Sequence, residues 1–234
     1  MQIKVSNPAA VISLVTTLFL TGSAFGQADK DESWTMLFDG TSLDAWKGYK
    51  TDDVPSGWVI DNGTLKHDSG EVDLVTRETF GDFELRFNWK IAASGNSGVI
   101  YRCDEKEAAS YMTGPEYQLL DNKGWQQEDQ HVHSSAAIYG LFPPTTDAAK
   151  PTGEWNTGRI VVRAGRVEHW LNDKLVASAD LGSDNWQEKI EGSKFAAWKR
   201  FGTLTSGHIA LQAHRGKDGE MVPVWFREVK IRRL

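Results

Sequence analysis

The chain has 234 residues, 40% hydrophobic and 25% charged, a globular composition that one β-sandwich domain can accommodate. Its net charge of −6 comes without a basic stripe, which argues against nucleic acid as a partner. A single cysteine, Cys103, excludes an intrachain disulfide framework and any CxxC metal or redox motif.

At the N-terminus Lys4 precedes an apolar run from Ala9 to Leu20, and Ala24 and Gly26 supply the small residues that a signal peptidase reads. The run is short for a bilayer span, and no cysteine follows it for lipidation. This pattern predicts a signal peptide over 1–26, export to the periplasm or beyond, and no membrane span after cleavage. Residues 27–234 are then expected to form one domain.

The mature chain reads as short strands and turns. Phe83 to Ile91 alternates apolar and polar at every step, as a strand with one buried face does. Ile160–Arg163, Arg166–Leu171 and Lys174–Ala177 form a meander, turned by Ala164-Gly165 and by Asn172-Asp173. Gly207–His214 and Val224–Ile231 read as two further strands, and a helix is expected only around Asn185–Arg200. The long irregular stretches, 103–114, 122–135 and 143–153, are where a rigid scaffold tends to carry binding groups. The predicted fold is all-β, a jelly-roll sandwich of two antiparallel sheets. Ten Trp and ten Phe fit its core, with a few rings left to line a sugar site.

A series of short blocks runs in order along the mature chain. It opens with Phe38-Asp39-Gly40-Thr41-Ser42-Leu43-Asp44-Ala45-Trp46 and Trp58-Val59-Ile60-Asp61-Asn62-Gly63-Thr64-Leu65. Asn96-Ser97-Gly98-Val99-Ile100-Tyr101-Arg102 and Pro115-Glu116-Tyr117-Gln118-Leu119-Leu120-Asp121-Asn122 follow, then Ala137-Ile138-Tyr139-Gly140-Leu141 and Gly153-Glu154-Trp155-Asn156. Val167 to Asn172, His208 to His214 and Val224-Trp225-Phe226-Arg227 close it. The series resembles the 3-keto-disaccharide hydrolase domain family (DUF1080). That resemblance implies a concanavalin A-like lectin/glucanase fold and action on glycosides whose C3 hydroxyl has been oxidised to a ketone. It makes a small carbohydrate the expected partner.

A glucanase on this fold would carry two carboxylates two residues apart on one strand, with Cα atoms roughly 6.5 Å apart, to reach the roughly 5–5.5 Å carboxyl separation of a retaining enzyme. Here the residue two beyond Glu116 is Gln118, and Asp121 has the opposite parity. Glu71 and Asp73 have the spacing but read as solvent-face acids, so a pair drawn from separate strands is the remaining conventional route. A 3-keto glycoside instead needs a base for the C2 proton, donors at the enolate oxygen and an acid for the leaving group. The candidates for proton transfer are Glu116, His133 and His214. Asn96, Arg102, Gln118, Asp121, Tyr139, Gln212 and Arg227 would hold hydroxyls or the enolate, and Trp155 and Trp225 would stack on a sugar ring. The residues assign no cofactor, although His131 and His133 could share a divalent metal if their segment is extended and a carboxylate such as Glu116 completes the set. Bland readings stand beside these: His208, Gln212 and His214 as a solvated sheet face, His169 as an inward structural histidine, Trp155 and Trp225 as core. A sugar-binding module without catalysis and a conventional glycosidase are the alternative functions.

Overall fold

The computed structural model describes residues 1–2, 33–125 and 130–234. All but the first two residues of the expected signal peptide lie outside the described residues, as do Glu128 and Asp129 beside the histidine pair. Among the described residues the strands are, in chain order, β1 (Thr35–Phe38), β2 (Trp46–Gly48), β3 (Trp58–Asp61), β4 (Thr64–His67), β5 (Leu74–Thr76), β6 (Phe83–Ile91) and β7 (Asn96–Cys103). They continue as β8 (Glu116–Leu120), β9 (Asn156–Arg163), β10 (Arg166–Leu171), β11 (Lys174–Asp180), β12 (His208–Leu211) and β13 (Val224–Arg233). Two antiparallel sheets result. The larger runs β11-β10-β9-β6-β13-β4-β3 with β1 added to β13, and the smaller runs β2-β5-β12-β7-β8.

The core between them follows from strand alternation. Phe83, Leu85, Phe87, Trp89 and Ile91 point inward from β6. Phe87 meets Tyr117 of the opposite sheet edge-on at 5.4 Å, and Phe83 meets Tyr101 at 6.4 Å. Removing one such ring costs about 3–5 kcal/mol, so these contacts decide how the sheets stack. His169 sits in the same layer, with Nδ1 3.1 Å from the Ala136 carbonyl and Nε2 3.2 Å from the Tyr101 hydroxyl. Burial pushes its pKa down to about 4, so it is a neutral structural histidine between the sheets. The meander turns are tight because Ala164 and Gly165, and then Asn172 and Asp173, all take positive φ.

The helix is shorter than the sequence suggests. α1 covers Asp184–Glu191, opened by Ser183, whose hydroxyl accepts from the Trp186 amide at 3.2 Å. Gly192 ends it, and Ser193 then caps a separate 3₁₀ turn, Lys194–Ala197, by accepting from the Phe195 amide. A Gly-Ser pair thus divides what looked like one helix into two pieces.

The outer faces of the sheets differ. That of the larger sheet carries paired charges and tryptophans under cations. That of the smaller sheet carries a second apolar cluster, Tyr49, Val75, Ile100, Cys103 and Ala210, beside a group of buried polar side chains.

Candidate active site

Those polar side chains floor a cleft of about 730 Å³, within the usual range for small-molecule sites. Glu116 and Gln118 come from β8 and Asn96 from the start of β7, while Gln212 follows β12 and Asp73 precedes β5. Two irregular segments raise the walls. One is the loop after β7, which carries Tyr111; the other is the stretch between β11 and β12, which carries Lys194, Phe195 and Trp198.

Glu116 is the centre of the floor. Its side chain lies over Gly98, where an added Cβ would fall 2.2 Å from Oε1, so the absence of a side chain there gives the carboxyl its place. No hydrogen bond reaches that carboxyl among the described residues; it is influenced only by burial and by neighbouring charge. Burial, aided by repulsion from Asp73 and opposed by the Lys194 ammonium, pushes its pKa up to about 8. Asn96 Oδ1 is likewise buried without a hydrogen-bond partner among the described residues. Buried polar atoms are normally paired, so these two groups on the floor of a cleft are available to a ligand.

Asp73 is held differently. Its carboxylate accepts from the Ser110 hydroxyl and, at 2.9 Å, from the Ala213 amide. Burial raises its pKa, against those hydrogen bonds and the His214 charge. It therefore ties the Tyr111 loop to the chain after β12. Lys194 stands at the mouth, its ammonium donating to the Tyr139 hydroxyl at 3.1 Å and lying 4.4 Å from that ring's centre. His214 is exposed at the rim with Nδ1 2.5 Å from the Arg215 carbonyl, which leaves Nε2 open.

Of the residues singled out from the sequence, Asn96, Glu116, Gln118, Tyr139, Gln212 and His214 line this one cleft. The others lie elsewhere. A bulge in β7 puts Arg102 at φ +52°, and its guanidinium turns to the Gly81 carbonyl and to Asp82. Asp121 pins a turn by accepting from the Ser94 and Lys123 amides. Trp225 and Arg227 alternate with the core residues Val224 and Phe226, so both face outward from the larger sheet. There Trp225 lies under Lys90, and Trp155 lies under Arg227 at 4.2 Å. His131 and His133 sit on a 3₁₀ turn, Gln130–His133, rather than an extended segment, which spreads residues two apart to different sides. His133 packs on Tyr139 at 5.0 Å, and His131 is exposed. Among the described residues no three His, Cys, Asp or Glu side chains converge on a point that could hold an ion.

Asp73, Tyr111, Lys194 and Trp198 are among the cleft residues that the sequence reading did not single out. The Glu71/Asp73 spacing marked Asp73, yet its parity could not say that the smaller sheet's outer face is roofed. The other three stand on segments outside the sheets, where periodicity carries no signal.

The profile of the 3-keto-alpha-glucoside-1,2-lyase-like domain family matches residues 33–232. A curated 3-keto-disaccharide hydrolase from Bacteroides thetaiotaomicron is 32% identical, over 87% of this chain and 79% of its own. The crystal structure of a candidate glycosyl hydrolase from Parabacteroides distasonis superposes with a TM-score of 0.79 at 32% identity, covering 87% of this chain and 94% of that one. A second such protein from the same organism gives 0.68 at 29% identity, covering 86% and 100%.

Proposed function

The chain belongs to the 3-keto-alpha-glucoside-1,2-lyase-like domain family, and from that footing we propose that its cleft cleaves 3-keto glycosides or disaccharides by elimination and hydration, with net hydrolysis. The observation that carries this reading is Glu116, a buried carboxyl without a protein hydrogen-bond partner among the described residues and with a pKa pushed up to about 8. A general base works best with a pKa close to the operating pH.

In this scheme the Glu116 carboxylate removes the C2 proton, and the electron pair moves into an enolate on the C3 oxygen. The amides of Asn96, Gln118 and Gln212, with the Lys194 ammonium at the mouth, are the donors available to that oxygen. The enolate then re-forms the ketone, a C1–C2 double bond appears, and the C1–O bond breaks. His214 at the rim delivers the proton that the departing oxygen needs. Water adds to C1 and a proton returns to C2, so one water is consumed for each glycosidic bond. The leader-like segment motivates placing this reaction in the periplasm or outside the cell.

A second reading has one observation behind it. Asp73 and Glu116 are two carboxyls from separate strands facing one cleft, which is the arrangement a conventional glycosidase would need. Against it, the Asp73 carboxylate is already engaged by Ser110 and Ala213. A paired assay on a glucoside and its 3-keto derivative separates the two. We expect cleavage of the keto form alone; cleavage of the unoxidised glucoside would establish the conventional mechanism, and binding without cleavage of either would leave a sugar-binding module.

A further inference from the structure

The stretch between β11 and β12 adds no strand to either sheet, yet it is built around a column of rings. Phe142 lies parallel to Trp186 (6.0 Å, 5°), Trp186 to Phe201 (6.5 Å, 10°), and Phe201 to Phe195 (4.1 Å, 8°). Trp186, Phe195 and Phe201 are buried. Phe195 meets Trp198 edge-on at 5.5 Å, and Trp198 meets Tyr111 at 5.5 Å with the planes tilted by 45°. The column therefore ends in two rings that line the cleft, Tyr111 exposed and Trp198 half-buried.

Both rings are held from behind. The Arg200 guanidinium binds the Asp104 carboxylate and lies 3.6 Å from Glu107, and the Gly202 amide donates to the Thr113 carbonyl at 2.9 Å. These contacts clamp the Tyr111 loop onto the Trp198 segment. The buried rings already anchor the segment to the sandwich, so its stability does not require two more rings turned towards the cleft. An aromatic surface fixed in advance is what a weakly polar ligand face needs in order to bind without ordering costs.

Lys194 lines the cleft together with the floor and the tilted pair. Its charge is felt by Glu116, and the neighbouring Phe195 touches Trp198. The Glu116 floor and the tilted pair thus line one cleft, so a sugar seated over Glu116 can extend its second ring towards Tyr111 and Trp198. We propose that Tyr111 and Trp198 form the leaving-group subsite, receiving the C–H face of the second pyranose of a disaccharide. This rests on the reading of the cleft as a site for 3-keto glycosides. An aryl aglycone has the same flat apolar face, and the test includes it as a separate arm.

Three 3-keto substrates are compared: a methyl glucoside, too small to reach the pair, a disaccharide, and a 4-nitrophenyl glucoside. W198A and Y111A should lower kcat/KM on the disaccharide roughly 10- to 100-fold and leave the methyl glucoside within about 3-fold, because binding energy remote from the reacting bond is lost only where it is used. W198F, which keeps a ring, should fall in between, and melting curves check that each variant folds. Equal losses on all substrates, or no loss on the disaccharide, would overturn the subsite. A loss confined to the aryl glucoside would overturn the pyranose assignment. If the wild type turns over none of the three, the reaction reading fails separately, and calorimetry decides the subsite. Unoxidised disaccharide should then bind more tightly than methyl glucoside to the wild type and lose that preference in W198A; no preference in the wild type would overturn it.

Discussion

Glu84 and Glu116 are both buried glutamates on the outer faces of the two sheets, and their surroundings make them opposites. Burial alone would raise the pKa of Glu84, but Arg232 and Arg86 bond to it and Arg159 adds its charge, so its pKa is lowered. Glu116 meets burial with no such partner and moves the other way. On the larger sheet's outer face Glu84 is held by three arginines, and Trp34, Trp155, Trp170 and Trp225 lie under cations. On the smaller sheet's outer face the Glu116 carboxyl and Asn96 Oδ1 have no protein hydrogen-bond partner among the described residues. The same residue type is ion-paired on one face and without a hydrogen-bond partner among the described residues on the other because of what stands within reach.

Substituting the two glutamates should break the comparison most sharply. E116Q should lower turnover of a 3-keto glycoside about 10²- to 10⁴-fold, the range expected for a lost general base. It should also stabilise the fold. The folded pKa of Glu116 stands above its unfolded value, so the native state holds the proton more tightly, and stability falls as pH rises from about 4.5 through about 8. E116Q should thus gain in melting temperature over the wild type more at pH 9 than at pH 5. E84Q should do the reverse, losing on the order of 3 kcal/mol by leaving arginines unpaired while kcat stays near the wild-type value. Denaturant titration and steady-state kinetics on the two variants check both halves.

G98A comes next. Its Cβ would occupy the position of the Glu116 carboxyl, so activity should fall about 10-fold or more with the fold retained, as melting curves and kinetics would show. Smaller shifts should appear in the pH profile of kcat/KM, which should rise with pH through about 8. K194M removes the charge that lowers the Glu116 pKa and should move the profile to higher pH; D73N removes the charge that raises it and should move it lower. The effect of His169 is on stability alone and is confined to acid. Its folded pKa is depressed to about 4, so the stability it contributes is present above about 6.5 and lost as pH falls towards 4; H169Q should flatten that part of the pH–stability curve.

Strand alternation made much of this legible in the sequence. It placed the inward face of β6, the meander β9–β11 and the shared face of Glu116 and Gln118, because each rests on the two-residue period of a strand. It failed where the period is broken or absent. Arg102 is re-aimed by a bulge, Trp198 and Lys194 sit beyond the sheets, and Asp73 reaches the cleft from a strand three places from β8. Parity also cannot say which outer face is roofed. Trp155 and Trp225 have the chemistry to stack on a sugar, but they lie on the face where lysine and arginine cover the rings.

The central claim is that Glu116 removes the C2 proton. It is tested most directly by following a 3-keto glycoside in D₂O by NMR, with an enzyme-free control for spontaneous exchange. The account predicts deuterium at C2 of the released 3-keto sugar with the wild type, and both deuteration and cleavage slowed about 10²- to 10⁴-fold in E116Q. Cleavage that leaves the C2 proton in place, or C2 exchange undiminished in E116Q, would contradict it.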